Sequence, residues 1–188
     1  MRTRRPFARL VLGLLIMVPG GMLTEQVFAR VRYPGAGFGG VPLSFDLQRK
    51  YEALDTVERN GFLGQFVLVQ ALDVTIIVGT LLVFTALTLL AAGRRDAGAR
   101  VRRLGRLTTV AFVLAPAMDA LENASMLALI AFRDRNPDWL NFLQSCCTLG
   151  KTVFFIAGWC GLAVLLAAWA VDAVRGGRTS KRHVTNRS

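Results

Sequence analysis

Residues 107–132 read LTTVAFVLAPAMDALENASMLALIAF. The segment is long enough to cross a bilayer as a helix, which takes about 20 residues. Yet Asp119, Glu122 and Asn123 stand in its middle. On a helix Asp119, Glu122, Asn123 and Met126 are spaced i, i+3, i+4, i+7 and share one face. Carboxylates at membrane depth are costly, so they face a protein interior or water rather than lipid. The stretch therefore asks for other helices around it.

The rest of the chain supplies them. Apolar segments over about 7–28, 63–92 and 140–174 are each long enough to span a bilayer. Of the 188 residues, 53% are hydrophobic, and the mean hydropathy is +0.44. The expectation is an all-α polytopic membrane protein: a four-transmembrane-helix bundle forming a single domain over residues 1–174. A polar, basic tail over 175–188 follows, expected to lack a fold of its own. The first span contains Pro19-Gly20-Gly21, tolerated where neighbours satisfy the freed backbone. It also reads as a secretory signal ending at Val27-Phe28-Ala29, but Glu25 and Gln26 before that point favour an uncleaved helix.

The formal charge of +11 is distributed as a topology signal rather than a nucleic-acid patch. Arg2, Arg4, Arg5 and Arg9 precede the first span. Arg94, Arg95, Arg100, Arg102, Arg103 and Arg106 lie between the second and third, and Arg175, Arg178, Lys181, Arg182 and Arg187 follow the fourth. The other two loops are nearly balanced by acids. The positive-inside bias thus predicts a multi-pass protein of the inner (cell) membrane with both termini cytoplasmic, its basic segments meeting anionic lipid headgroups.

The longest loop divides in two. Tyr33 to Val41-Pro42 is Gly- and Pro-rich and expected to be irregular. Beyond it Ser44 can cap a helix in which Leu47, Tyr51, Leu54 and Val57 or Glu58 recur at helical spacing, ended by Asn60-Gly61. This outer amphipathic helix either lies on the membrane surface or covers the bundle mouth. The turn Arg133-Asp134-Arg135-Asn136-Pro137-Asp138 has charges that cancel locally.

Cofactor signatures are lacking. Cys146, Cys147 and Cys160 form no CxxC pair or zinc spacing, and His183 is the single histidine. No metal site and no cofactor is expected.

The polar residues of the spans fall at one depth. The second span carries Gln70 and Asp73, with Thr80 expected on the same face. In the fourth, Gln144, Cys147, Thr148 and Lys151 form one stripe. With the termini inside, Asp73, Glu122 and Lys151 each lie about ten residues from the outer end of their helix, roughly 15 Å deep, and Asp119 lies about one turn deeper. Asp73, Asp119 and Glu122 then face a single ammonium, Lys151. Three clustered carboxylates in a low dielectric exceed what one ammonium neutralises, so a shared proton or a cationic ligand is expected. Glu25 is shallower and a weaker candidate member.

The order Asp in span two, Asp-x-x-Glu-Asn in span three and Lys in span four resembles a group of uncharacterised bacterial four-span membrane proteins, over most of Tyr51 to Lys151. More loosely, a small bundle with intramembrane acids is similar in architecture to the emopamil-binding and sigma-2 receptor superfamily. That likeness implies proton transfer by buried carboxylates in a lipid-accessible cavity and assigns no residue here.

The leading reading is a cavity in the outer half of the bundle that binds a lipid-like, hydrophobic or cationic small molecule. Proton-transfer catalysis there would use Asp119 and Glu122 as acid and base, tuned by Asp73 and Lys151. Gln70, Asn123, Gln144 and Thr148 would line the ligand site. The alternatives are a proton or cation transporter or channel subunit, which needs an oligomer or alternating access, and a non-catalytic accessory membrane subunit. Crowded polar groups that only set helix register are the bland alternative.

Overall fold

The computed structural model describes residues 4–31, 41–93, 98–135 and 138–185, with side chains for fewer at the ends. Among the described residues there are five α-helices: α1 (Arg4–Val31), α2 (Leu47–Arg59), α3 (Leu63–Ala92), α4 (Ala99–Ala131) and α5 (Asp138–Thr185). Short 3-10 turns at Val41–Leu43 and Arg133–Arg135 lead into α2 and α5. All except α2 are long and apolar enough to cross a membrane. The chain is thus an all-α, multi-pass membrane protein.

Helices run further than apolarity alone indicates. α4 begins at Ala99, so Arg100, Arg102, Arg103 and Arg106 are helical rather than a loop. Hydropathy marks where a helix enters the bilayer. Arg, Ala and Leu propagate a helix equally well in water. α5 does not stop near Val174 either but continues through Gly176 and Gly177 to Thr185, correcting the expectation of an unfolded tail. The expected irregular segment from Tyr33 falls almost wholly outside the described residues.

α2 starts where Asp46, not Ser44, caps it: the Asp46 carboxylate accepts from Arg49 N at 3.3 Å. Ser44 Oγ instead accepts from Asp46 N at 3.1 Å. The exit is Gly61, whose φ of 74° needs a residue without a Cβ.

The apolar stripe of α2 settles its place. Ala53, Leu54 and Val57 are buried against Val31 of α1, Phe66 of α3 and Met126 of α4. Leu47 packs with Leu129 of α4 and Leu140 of α5. Burying one such side chain contributes about 1.5–3 kcal/mol. α2 therefore covers the bundle mouth, the second of its two expected positions. The turn after α4 is no idle solvated loop either, since Arg133 pairs with Asp55 and with Glu58 of α2, the latter at 2.6 Å.

Small residues set the helix order. α1 lies along α3, α3 along α4, and α4 along α5. At the first crossing a Cβ on Gly79 would stand 2.5 Å from Met17 Cβ and 2.8 Å from Met17 Cα. Gly158 and Gly161 of α5 admit Phe112 and Thr108 of α4 in the same way. Gly79→Ala is thus expected to push α1 off α3 and to lower the unfolding free energy in detergent by about 1–3 kcal/mol. Gly64→Ala, which meets nothing within 4 Å, is expected to leave stability unchanged or slightly raised. Equal stability of the two variants contradicts the close crossing.

Candidate functional site: a buried charge network under α2

α3 and α5 both run along α4 but touch one another over a much shorter stretch. The three helices therefore make a trough with α4 as its floor. Asp119, Glu122 and Asn123 lie on that floor because their spacing puts them on one helical face. Asp73 stands on the α3 wall and Lys151 on the α5 wall.

Their contacts are specific. Lys151 Nζ donates to Asp119 Oδ1 at 2.8 Å and stands 2.7 Å from Glu122 Oε2. One ammonium thus holds both α4 carboxylates. Asn123 Nδ2 donates to Asp73 Oδ2 at 2.7 Å, the one hydrogen bond of Asp73 among the described residues. Asp73 also feels the charges of Asp119, Lys151 and Glu122. The predicted convergence of Asp73, Asp119, Glu122 and Lys151 is what the fold builds. Exposure is graded across the group: the Lys151 side chain is 31% exposed, Asp119 19% and Glu122 11%. Glu122 is the inner member and Lys151 faces the open side.

A second ammonium joins them. Lys50 of α2 has no exposed surface. Its Nζ donates to Gln144 Oε1 and, at 2.7 Å, to Ser145 Oγ. Gln144 Nε2 in turn reaches Glu122 Oε1 at 3.5 Å and Thr148 Oγ1 at 3.1 Å. The ammonium is therefore bridged to the Glu122 carboxylate by one amide. Burial pulls the Lys50 pKa down from 10.5 to about 8, and the charge of Glu122 opposes the shift. The cluster holds three carboxylates and two ammoniums, not one. The signal was present in the sequence: Lys50 sits three residues after Leu47 and four before Leu54, inside the apolar stripe.

Thr148, Ser145 and Asn141 of α5 anchor the chain entering α2. Thr148 Oγ1 lies 3.4 Å from Pro42 O, Ser145 Oγ donates to Ser44 O at 2.7 Å, and Asn141 Nδ2 donates to Phe45 O at 2.8 Å. Of the four expected ligand-binding side chains, Gln144 is thus engaged by Lys50, Thr148 lies against Pro42 O, and Asn123 is held by Asp73. Gln70 is half-buried one turn before Asp73 and makes no hydrogen bond among the described residues. Glu25 is exposed and stays apart.

The trough is closed at its other end. Phe84 of α3 stacks on Phe112 of α4 at 4.6 Å and meets Trp159 and Phe155 of α5 edge-on at 4.7 and 5.8 Å. Phe112 precedes Asp119 by two turns, so this plug lies about 10 Å beyond the charges. Thr80, expected on the Asp73 face, instead donates to Met17 Sδ of α1 at 3.7 Å. Thr85 and Thr88 turn back on the carbonyls of Leu81 and Phe84. No polar path leads past the plug along α3. Comparison with family models, with curated proteins and with solved structures returns no match.

Proposed function

We propose that the trough under α2 binds a membrane amphiphile with a cationic headgroup, the cation seated at Asp73. The observation that carries this is the unequal pairing of the three acids. Asp119 and Glu122 share Lys151, and Lys50 adds charge toward Glu122, whereas Asp73 has only the Asn123 amide. With every group ionised, three acids against two ammoniums leave one negative charge in excess. A buried uncompensated charge is costly, so a cation or a proton completes the site. The trough is walled by apolar helices and open on the side of Lys151, which suits a ligand arriving from the bilayer.

In this reading α2 faces the outside of the cell membrane and both termini the cytoplasm, as the arginine distribution asks. Where the ligand is a substrate for proton transfer, Asp73 is the exchanging carboxylate, and Asp119 and Glu122, clamped by Lys151, supply the field around it. The roles expected from the sequence are then exchanged. The aromatic plug disfavours a conducting path through one copy of the chain.

Purification in mild detergent followed by mass spectrometry of extracted small molecules tests the proposal. The wild type is expected to retain an amine-bearing amphiphile, and Asp73→Asn to lose at least about tenfold of it while unfolding at an unchanged or higher temperature. A folded Asp73→Asn protein that keeps the same ligands at the same level overturns it.

A further inference from the structure

A cavity lies at the end of the bundle opposite α2, independent of the charge network. It measures about 510 Å³ and lies between the C-terminal turns of α3 and the N-terminal turns of α4. Leu89 and Ala92 of α3 and Val110 of α4 give it apolar walls, and Arg102 and Arg106 stand at its edge. The two helices touch at Gly105, where an added Cβ would meet Ala92, and the groove opens beside that crossing. Arg102 and Arg106 are one turn apart and share its face of α4.

We infer that this groove is a binding site for an anionic phospholipid, its phosphate held by Arg102 and Arg106 and an acyl chain laid against Leu89 and Val110. Position supports this. From Leu107 to Met118 α4 carries no charged residue, so Arg106 marks the level at which the helix leaves the hydrocarbon. That is the level of the phosphates. Charge complementarity supports it as well, because residues 93–118 contain six arginines against one acid, Asp96. The guanidinium fork matches phosphate oxygens in a way an ammonium does not. An exposed groove with apolar walls and a basic rim fits a molecule with an anionic head and an apolar tail, where a free anion would use only the rim.

The test is native mass spectrometry of the full chain in detergent, titrated with phosphatidylglycerol or phosphatidylcholine. The wild type is expected to bind phosphatidylglycerol at least about tenfold more tightly than phosphatidylcholine. Arg102→Gln/Arg106→Gln is expected to abolish that preference. Arg100→Gln/Arg103→Gln removes the same charge from other positions on the helix and is expected to retain it. Equal loss in the two double variants overturns the groove in favour of general charge attraction. Displacement of the bound lipid by millimolar inorganic phosphate overturns the lipid as occupant. An unaltered preference in Arg102→Gln/Arg106→Gln overturns the site.

Discussion

Replacing Lys151 by methionine is expected to lower the unfolding free energy by about 3 kcal/mol, the largest loss of any single change in the trough. Methionine preserves the length and apolar stem of lysine, so packing changes little. What it removes is the one ammonium within 2.8 Å of Asp119 and 2.7 Å of Glu122. Two carboxylates on one face of α4 are then left in a low dielectric without their shared counter-ion. Denaturation in detergent, read by circular dichroism, measures the loss. Rescue separates charge from shape: Lys151→Met combined with Asp119→Asn and Glu122→Gln leaves neutral amides and is expected to recover most of the stability. A Lys151→Met protein as stable as wild type shows that the ion pairs contribute nothing. A triple variant no better than the single one shows that packing, not charge, was lost.

The meeting of Asp73, Asp119, Glu122 and Lys151 was legible because depth is nearly one-dimensional in a membrane protein. Counting residues from a helix end gives height, and height brought the groups to one level. Azimuth was less legible. Thr80 lies seven residues after Asp73, which suggests one face, yet it turns to Met17 because α1 packs on α3 at Gly79. Nothing in local spacing says which neighbour claims a given side of a uniformly apolar helix. Amphipathic α2 was the reverse case, since its stripe announced a buried face but not the partner. Lys50 was passed over there because a lysine in a surface helix is ordinarily solvated, and its long stem hides inside an apolar stripe without breaking the pattern. Arg133 was missed for a related reason. Local charge balance in the 133–138 turn concealed that its partners, Asp55 and Glu58, come from α2.

Lys50 carries the second large effect, a dependence of stability on pH. Its pKa is about 8 in the fold against 10.5 when solvated, with desolvation as the first cause. Between these values the unfolded chain binds a proton that the folded chain does not, so stability rises with pH across that window. Below about pH 8 both states are protonated, and the cost of the buried ammonium is constant. Tyr51, next on α2, works in the opposite sense: burial raises its phenol above 10.0, so its contribution falls as pH passes that value. The clean window is therefore about pH 8 to 10, over which the wild type is expected to gain about 2 kcal/mol relative to Lys50→Met. The comparison cancels Tyr51 and every other group common to both proteins. Deprotonated Lys50 still donates to Gln144 and Ser145, so α2 stays docked as the charge disappears. Parallel pH profiles for the two proteins sink the assignment of a buried, charge-strained Lys50. A wild-type profile that falls from pH 8 to 10 while Lys50→Met stays flat reverses its sign, and the ammonium must then be held more strongly in the fold than in water.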